Sequence, residues 1–343
     1  IEGAAVSGAP PATGEVGAMN ERELLDAVNK LPKSIEPPRD LWPEISTQIN
    51  ARSWRRWYWV PLAAAAAFVL LMVGRTIKPT AWDVTALAGR PLIGTKRLAA
   101  SGRLRVGDWL QTDDSSRALV AVGRIGQVEV RPDTRVQLVV ARADEHRLAL
   151  ARGTIAAKVD AVPRLFFVDT PAGTAVDLGC AYTLATDSLG KGLLHVTGGE
   201  VEFETGLRSA RVPLGALMQI RPGTGPGTPY VEDAPAPLVR ALIAFDFEKG
   251  RARAMRNILA LARPQDALSV WHLLQRVMPA LRGVVYDRLA ALVPPPPGVT
   301  RRGAIALRSR DLEGYWTKIH SIHFRRMILR GVRDINPRTG IAR

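Results

Sequence analysis

The chain has 343 residues, with 47 Lys and Arg against 32 Asp and Glu, a formal charge of +15 and a hydrophobic fraction of 47%. That length holds two or three domains, and the apolar content excludes a chain disordered throughout. The charge is uneven: residues 1–56 carry seven basic and eight acidic side chains, so nearly all the basic excess follows residue 56.

Residues 1–18 are small and Gly/Pro-rich without apolar periodicity, which predicts a disordered leader. From Asn20 the sequence NERELLDAVNKL pairs a helix N-cap with Glu23 three residues on and sets Leu24, Leu25, Val28 and Leu31 on one face. After a Pro-rich hinge, Asp40 caps a second short helix with Leu41, Ile45 and Ile49 at four-residue spacing and Trp42 beside them. Residues 19–56 thus form a helical region too small to bury both apolar faces alone. A partner surface would cover them; lying on a membrane or pairing as a hairpin is the competing reading.

The uncharged run Trp57–Gly74, WYWVPLAAAAAFVLLMVG, spans about 27 Å as a helix, enough for a hydrocarbon core. Trp54, Trp57, Tyr58 and Trp59 with Arg55 and Arg56 form one interfacial belt, and Arg75 and Lys78 close the other end. A single transmembrane helix over residues 57–74 follows. GRTIKPT after it offers no small-residue cleavage site, against a signal peptide. A buried core helix is the other alternative, since Pro61 and five alanines weaken the span.

Residues 80–222 change to short alternating stretches separated by Gly, Asp and Pro, an all-β texture. Strands are expected at residues 119–122, 127–130, 136–140, 153–159, 165–168, 175–178, 182–185, 193–196, 200–204 and 217–220, with a solenoid or a sandwich both open. Asp113, Asp114 and Asp177 stand beside turns, where carboxylates cap amides. Cys180, the only cysteine, reads as a small buried hydrophobe. It rules out an intramolecular disulfide and any zinc site needing two thiolates, and His320 and His323 lack further ligands, so no metal or cofactor is expected.

Residues 223–237, RPGTGPGTPYVEDAPAP with its flanks, read as a linker. Helical spacing returns in LVRALIAFDF, ARAMRNILALA, DALSVWHLLQRV with Asp266 as N-cap, and LRGVVYDRLAALV, predicting a helical array over residues 238–319. Residues 320–343 read as an exposed basic tail. The chain carries no nucleophile motif, P-loop or metalloprotease signature, so no enzyme is expected. Without a Cys2His2, RNP-like or heptad-linked basic motif, no direct nucleic-acid binding is expected either.

Within Trp82 to Pro222, GDWLQTDDSSRALV, FFVDTPAGTAVDLGCAYTLATD and LLHVTGGEVEF together resemble the FecR domain, the envelope module of transmembrane signal transducers and anti-sigma regulators. Gly179-Cys180 stands where that family usually has Gly-Thr, and SIEPPRDLWPEISTQI resembles the start of short single-span anti-sigma proteins. The helical array does not look like the receptor-docking module of the iron-uptake branch, so that role is not implied. The overall expectation is a multidomain chain: a short α-helical N-terminal region, one transmembrane helix, an all-β FecR-like domain and a C-terminal α-helical array. The resemblance implies a single-pass inner-membrane anti-sigma regulator, N-terminus cytoplasmic and C-terminal domains periplasmic. An extracytoplasmic-function sigma factor would be the partner of Leu24, Leu25, Val28, Leu41, Trp42, Ile45 and Ile49, and the long side would sense an envelope protein or cell-wall ligand. An envelope scaffold, or a structural subunit of a membrane assembly, is the alternative.

Overall fold

The computed structural model describes residues 81–206 and 208–334. The leader, the helical region 19–56, the span 57–74 and residues 335–343 of the expected tail lie outside the described residues. Within them the chain builds two β-sheets and then a packed set of helices, so the β-then-α order read from the side-chain periods is observed.

One sheet runs β4 (Ser101–Arg105), β1 (Ala81–Ala88), β6 (Arg117–Val122), β7 (Gly126–Val130), β9 (His146–Val159), β12 (Ala181–Thr186), β13 (Gly192–Gly198) and β16 (Ala216–Arg221). Short strands β17 (Gly225–Pro226) and β18 (Tyr230–Val231) pair with β16. The other sheet runs β3 (Lys96–Arg97), β2 (Leu92–Ile93), β5 (Trp109–Gln111), β8 (Arg135–Ala141), β9 again, β10 (Phe166–Thr170), β11 (Gly173–Asp177), β14 (Glu200–Glu204) and β15 (Ser209–Pro213). All these pairings are antiparallel except β9 with β10.

β9 joins the two sheets. Residues up to Arg152 pair with β8 and β10, whereas Gly153 onward pairs with β7 and β12. The change of sheet occurs at Gly153, whose φ of 95° only glycine adopts freely and whose missing Cβ makes room for the Thr134 main chain. Apolar alternation supplies one buried face to each sheet. Val84, Val120, Val128, Ile155, Leu184 and Leu194 come from the first sheet, and Leu110, Leu138, Leu148, Phe166, Val201 and Phe203 from the second, all in one contiguous core. The two sheets are joined through β9 into one extended β region with a shared core.

The helices are α1 (Ala236–Phe247), α2 (Arg251–Leu261), α3 (Ala267–Arg276), α4 (Arg282–Leu292), α5 (Arg301–Ile305) and α6 (Ser309–Asp334). Every residue of α3 from Ala267 to Leu274 is buried, because it lies between the β region and its neighbouring helices. Ser269 Oγ donates to Pro229 O at 2.7 Å, and Trp271 Nε1 donates to Leu312 O at 3.3 Å. Among the described residues no helix is long and apolar enough to cross a membrane.

Three expectations are corrected. The Pro/Gly-rich stretch at 223–237 carries β17 and β18, and residues 225–229 are buried; Pro226 sits in a two-residue strand at a sheet end, where a missing N–H costs little, while Pro235 and Pro237 open α1. The basic stretch after His320 continues α6 to Asp334, with His323 buried and its Nε2 donating to Leu214 O. Asp266 makes no cap bond to α3. Its carboxylate instead accepts from the Arg263 main-chain N at 2.9 Å and the Arg263 side chain, closing the preceding 3₁₀ turn.

Candidate functional site

The chemistry most densely assembled among the described residues lies where the free edge of β15 meets α3. Arg208 exchanges main-chain hydrogen bonds with Thr205, so in the alternation of an antiparallel ladder Ser209 and Arg211 turn their N–H and C=O away from β14. An open edge of this kind invites pairing. Helix α3 covers part of it: the Arg211 N–H donates to His272 Nε2 at 3.3 Å, and His272 Nδ1 donates in turn to Leu268 O at 3.0 Å. With one ring nitrogen accepting, the imidazole is neutral. Burial first, and the Arg276 cation second, push its pKa down to about 3.

One turn beyond His272, Arg276 is held with a side chain only 7% exposed. Its Nη1 donates to Asp246 Oδ1 at 3.0 Å, Pro226 O at 3.1 Å and Thr228 Oγ1 at 3.3 Å. Asp246, 2% exposed, also accepts from Thr228 Oγ1. Nη2 of Arg276 is buried without a partner, and so is Nη1 of Arg208. Burial lowers the Arg276 pKa, Asp246 opposes that, and the nearby Arg208 and Arg251 cations add to it.

Both arginines line a cavity of about 500 Å³ with Ser209, Trp271 and Gln275, and with Glu202 and Glu313 among its walls. Those carboxylates are already partnered: Glu202 faces Arg164 at 3.2 Å, and Glu313 meets Arg211 Nη1, in the same wall, at 2.9 Å. Arg211 also donates from Nε to Glu200 at 2.6 Å and lies over the Trp316 ring at 4.5 Å. A second cavity of about 580 Å³ adjoins the Thr170–Gly173 turn and shares Arg208. In that turn Thr170 Oγ1 donates to Gly173 O at 2.8 Å and accepts from Ala172 N.

The residues expected to bind a partner, Leu24, Leu25, Val28, Leu41, Trp42, Ile45 and Ile49, lie outside the described residues. Asp113 and Asp177 do cap turns, accepting from the Ser115 and Gly179 amides at 3.1 and 2.7 Å. Cys180 is buried, and its Sγ donates to Asp177 Oδ2 at 2.7 Å. Burial and that neighbouring carboxylate raise the thiol pKa, so the group is a hydrogen-bond donor rather than a nucleophile. Sequence reasoning missed Arg208, Arg211, His272 and Arg276. The available signal was a histidine and an arginine inside the apolar period of DALSVWHLLQRV, which marks polar groups destined for burial.

No protein-family pattern and no curated protein sequence matches the chain. Two crystal structures of a candidate anti-sigma factor from Parabacteroides distasonis ATCC 8503 share partial structural similarity with it. Each has a TM-score of 0.33 and 16% identity over 39% of this chain, covering 64% and 63% of theirs. The chain thus spans a little under two thirds of the length of those proteins.

Proposed function

We propose that this chain is a single-pass membrane anti-sigma regulator of the FecR-domain kind. In this reading its N-terminal helices sequester an extracytoplasmic-function sigma factor in the cytoplasm, and its envelope side senses a signal, with no catalytic step of its own. The observation that carries the reading is the order of segments. In the sequence, two short stretches with helical apolar spacing precede an 18-residue uncharged run, Trp57–Gly74, and the FecR-like motifs follow it. Leu24, Leu25, Val28, Leu41, Trp42, Ile45 and Ile49 act as anchors in a helix-in-groove contact, while Glu21, Glu23, Asp26, Asp40 and Glu44 steer the encounter toward a basic surface.

The test is a transcriptional reporter in cells where the wild-type chain represses. The Leu41→Asp/Ile45→Asp double variant is expected to release sigma-dependent transcription while the chain still enters the membrane. Repression that persists at the wild-type level overturns the reading. Compartment reporters fused at residue 20 and at residue 343 are expected to report opposite sides, and matching sides defeat the scheme as well.

The second reading, an envelope scaffold, draws on the basic excess after residue 56, which suits an acidic wall polymer. It predicts salt-sensitive binding of the chain to purified wall material with the reporter unaffected by the double variant.

A further inference from the structure

We infer that the outer face of α6 rests on an anionic phospholipid surface, that of the bilayer the uncharged run Trp57–Gly74 would cross. The inference rests on the span reading of residues 57–74 and adds to it a second, reversible contact with the same membrane. Its first observation is that α6 is apolar on two sides. Trp316, Ile319 and His323 are buried against the protein, yet Ile322, Phe324, Ile328 and Leu329 on the opposite side are each 45–56% exposed. Large apolar side chains so close together, spaced four and seven residues apart on a helix, form a patch rather than a scatter, and contiguous patches mark contact surfaces.

Charge selects the occupant. Residues 314–333 carry five Lys and Arg and no Asp or Glu. Arg326 is paired with Asp233 on the protein side, whereas Arg325 is exposed within the apolar patch. A second copy of the chain docked here would set like charges against each other. An anionic lipid interface suits both parts of the pattern: the apolar side chains enter the acyl boundary, and the long arginine and lysine stems carry their charges to the phosphates.

The topology brings this patch to the sheet end that the chain reaches first after residue 74. Ladder registers align the start of β1 with the ends of β4 and β6, the start of β7, the end of β9, the start of β12, the end of β13 and the start of β16. Helix α6 docks on the turn before β16, with His323 Nε2 donating to Leu214 O and Met327 packed over Gly215. Only residues 75–80 separate the uncharged run from β1, and six residues reach at most about 21 Å. Val106 after β4 and Val162 after β9 are exposed at the same end, with Arg105, Arg124 and Lys158 outnumbering Asp108 and Asp160 there.

The test uses the full-length chain in proteoliposomes of phosphatidylcholine alone or mixed with phosphatidylglycerol, each containing a nitroxide-bearing quencher lipid. An environment-sensitive fluorophore is attached at Ile328→Cys or, as reference, at Leu189→Cys, which is 70% exposed in the β12–β13 turn at the opposite sheet end; the native Cys180 is buried. Position 328 is expected to be quenched strongly in anionic membranes, weakly in neutral ones and less as salt is raised, with position 189 unquenched throughout. The Ile322→Glu/Arg325→Glu double variant changes only exposed positions, so it is expected to bring position 328 to the level of 189 with an unaltered melting temperature. Flotation after an alkaline wash reads the span by itself. If the chain washes off, the span reading fails, and anionic vesicles added to the same labelled chain still decide whether α6 meets lipid. Equal quenching at the two positions, equal quenching in neutral and anionic membranes, or quenching that the double variant leaves intact overturns the inference. A disulfide between 328 positions of two copies, without quenching, assigns the face to a second copy and overturns it as well.

Discussion

Gly153 decides more than its size suggests, because the sharing of β9 between sheets turns on its left-handed backbone. The Gly153→Ala variant adds a Cβ against Thr134 in a conformation alanine avoids, and is expected to destabilise by about 3 kcal/mol. Urea denaturation followed by circular dichroism measures it; a loss under about 0.5 kcal/mol would mean that β9 can change sheets without the bend. Cys180 makes a second argument at this scale. Its thiol donates to the buried Asp177 carboxylate, so Cys180→Ser keeps the bond and Cys180→Ala leaves an acceptor unmade, at about 1–2 kcal/mol. The raised thiol pKa and full burial further predict that the native chain resists alkylation until it is unfolded. Labelling at equal rates with and without denaturant would contradict this.

Between elements, the Asp246–Arg276 pair locks α1, α3 and the strand end at Pro226 and Thr228 together. Truncating one partner leaves the other buried and uncompensated, which costs far more than removing both. Asp246→Ala is therefore expected to destabilise by about 3–5 kcal/mol, and the Asp246→Ala/Arg276→Met double variant by clearly less than the two single changes added. Additive effects in a double-mutant cycle would show that the two side chains do not act as a pair. The Arg211 contacts work differently: Glu313 is 63% exposed, so its pairing with Arg211 adds little stability and mainly fixes the guanidinium over Trp316.

At the largest scale, among the described residues, the β region and the helices meet through histidines that are buried in the neutral state. His272 has a folded pKa of about 3, set by burial with the Arg276 and Arg211 cations adding to it, while the unfolded chain titrates near 6.5. The unfolded state then binds the extra proton first, so the stabilisation is complete above about pH 6.5 and is lost as pH falls toward 3. The slope approaches about 1.4 kcal/mol per pH unit within that window. His323, lowered chiefly by burial, acts in the same sense; Asp177, raised by burial, acts in the opposite sense at the acid end. Urea midpoints are expected to fall steadily from pH 7 to pH 4.5, and His272→Gln to flatten the decline. A midpoint unchanged across that range would show that the imidazole is not neutral and buried in solution.

Much of this was written locally. The period-two texture placed ten strands within a few residues of β6–β14 and β16, and the 3.6 period located α1–α4, because a side chain's face depends only on its neighbours in sequence. The uncharged run at 57–74 and the apolar faces before it are likewise properties of the sequence by itself. It did not show that β9 serves two sheets, since the first half of that strand precedes its glycine and looks like a separate segment. Nor did it show that 223–237 would be buried, because composition reports turn chemistry and not what packs over a turn. The cleft needed the tertiary structure most of all. Arg211 and His272 are 61 positions apart, and Arg276 reaches Asp246 across 30. Which buried donors lack an acceptor depends on every element around them, and that was decided only when the edge of β15 closed against α3.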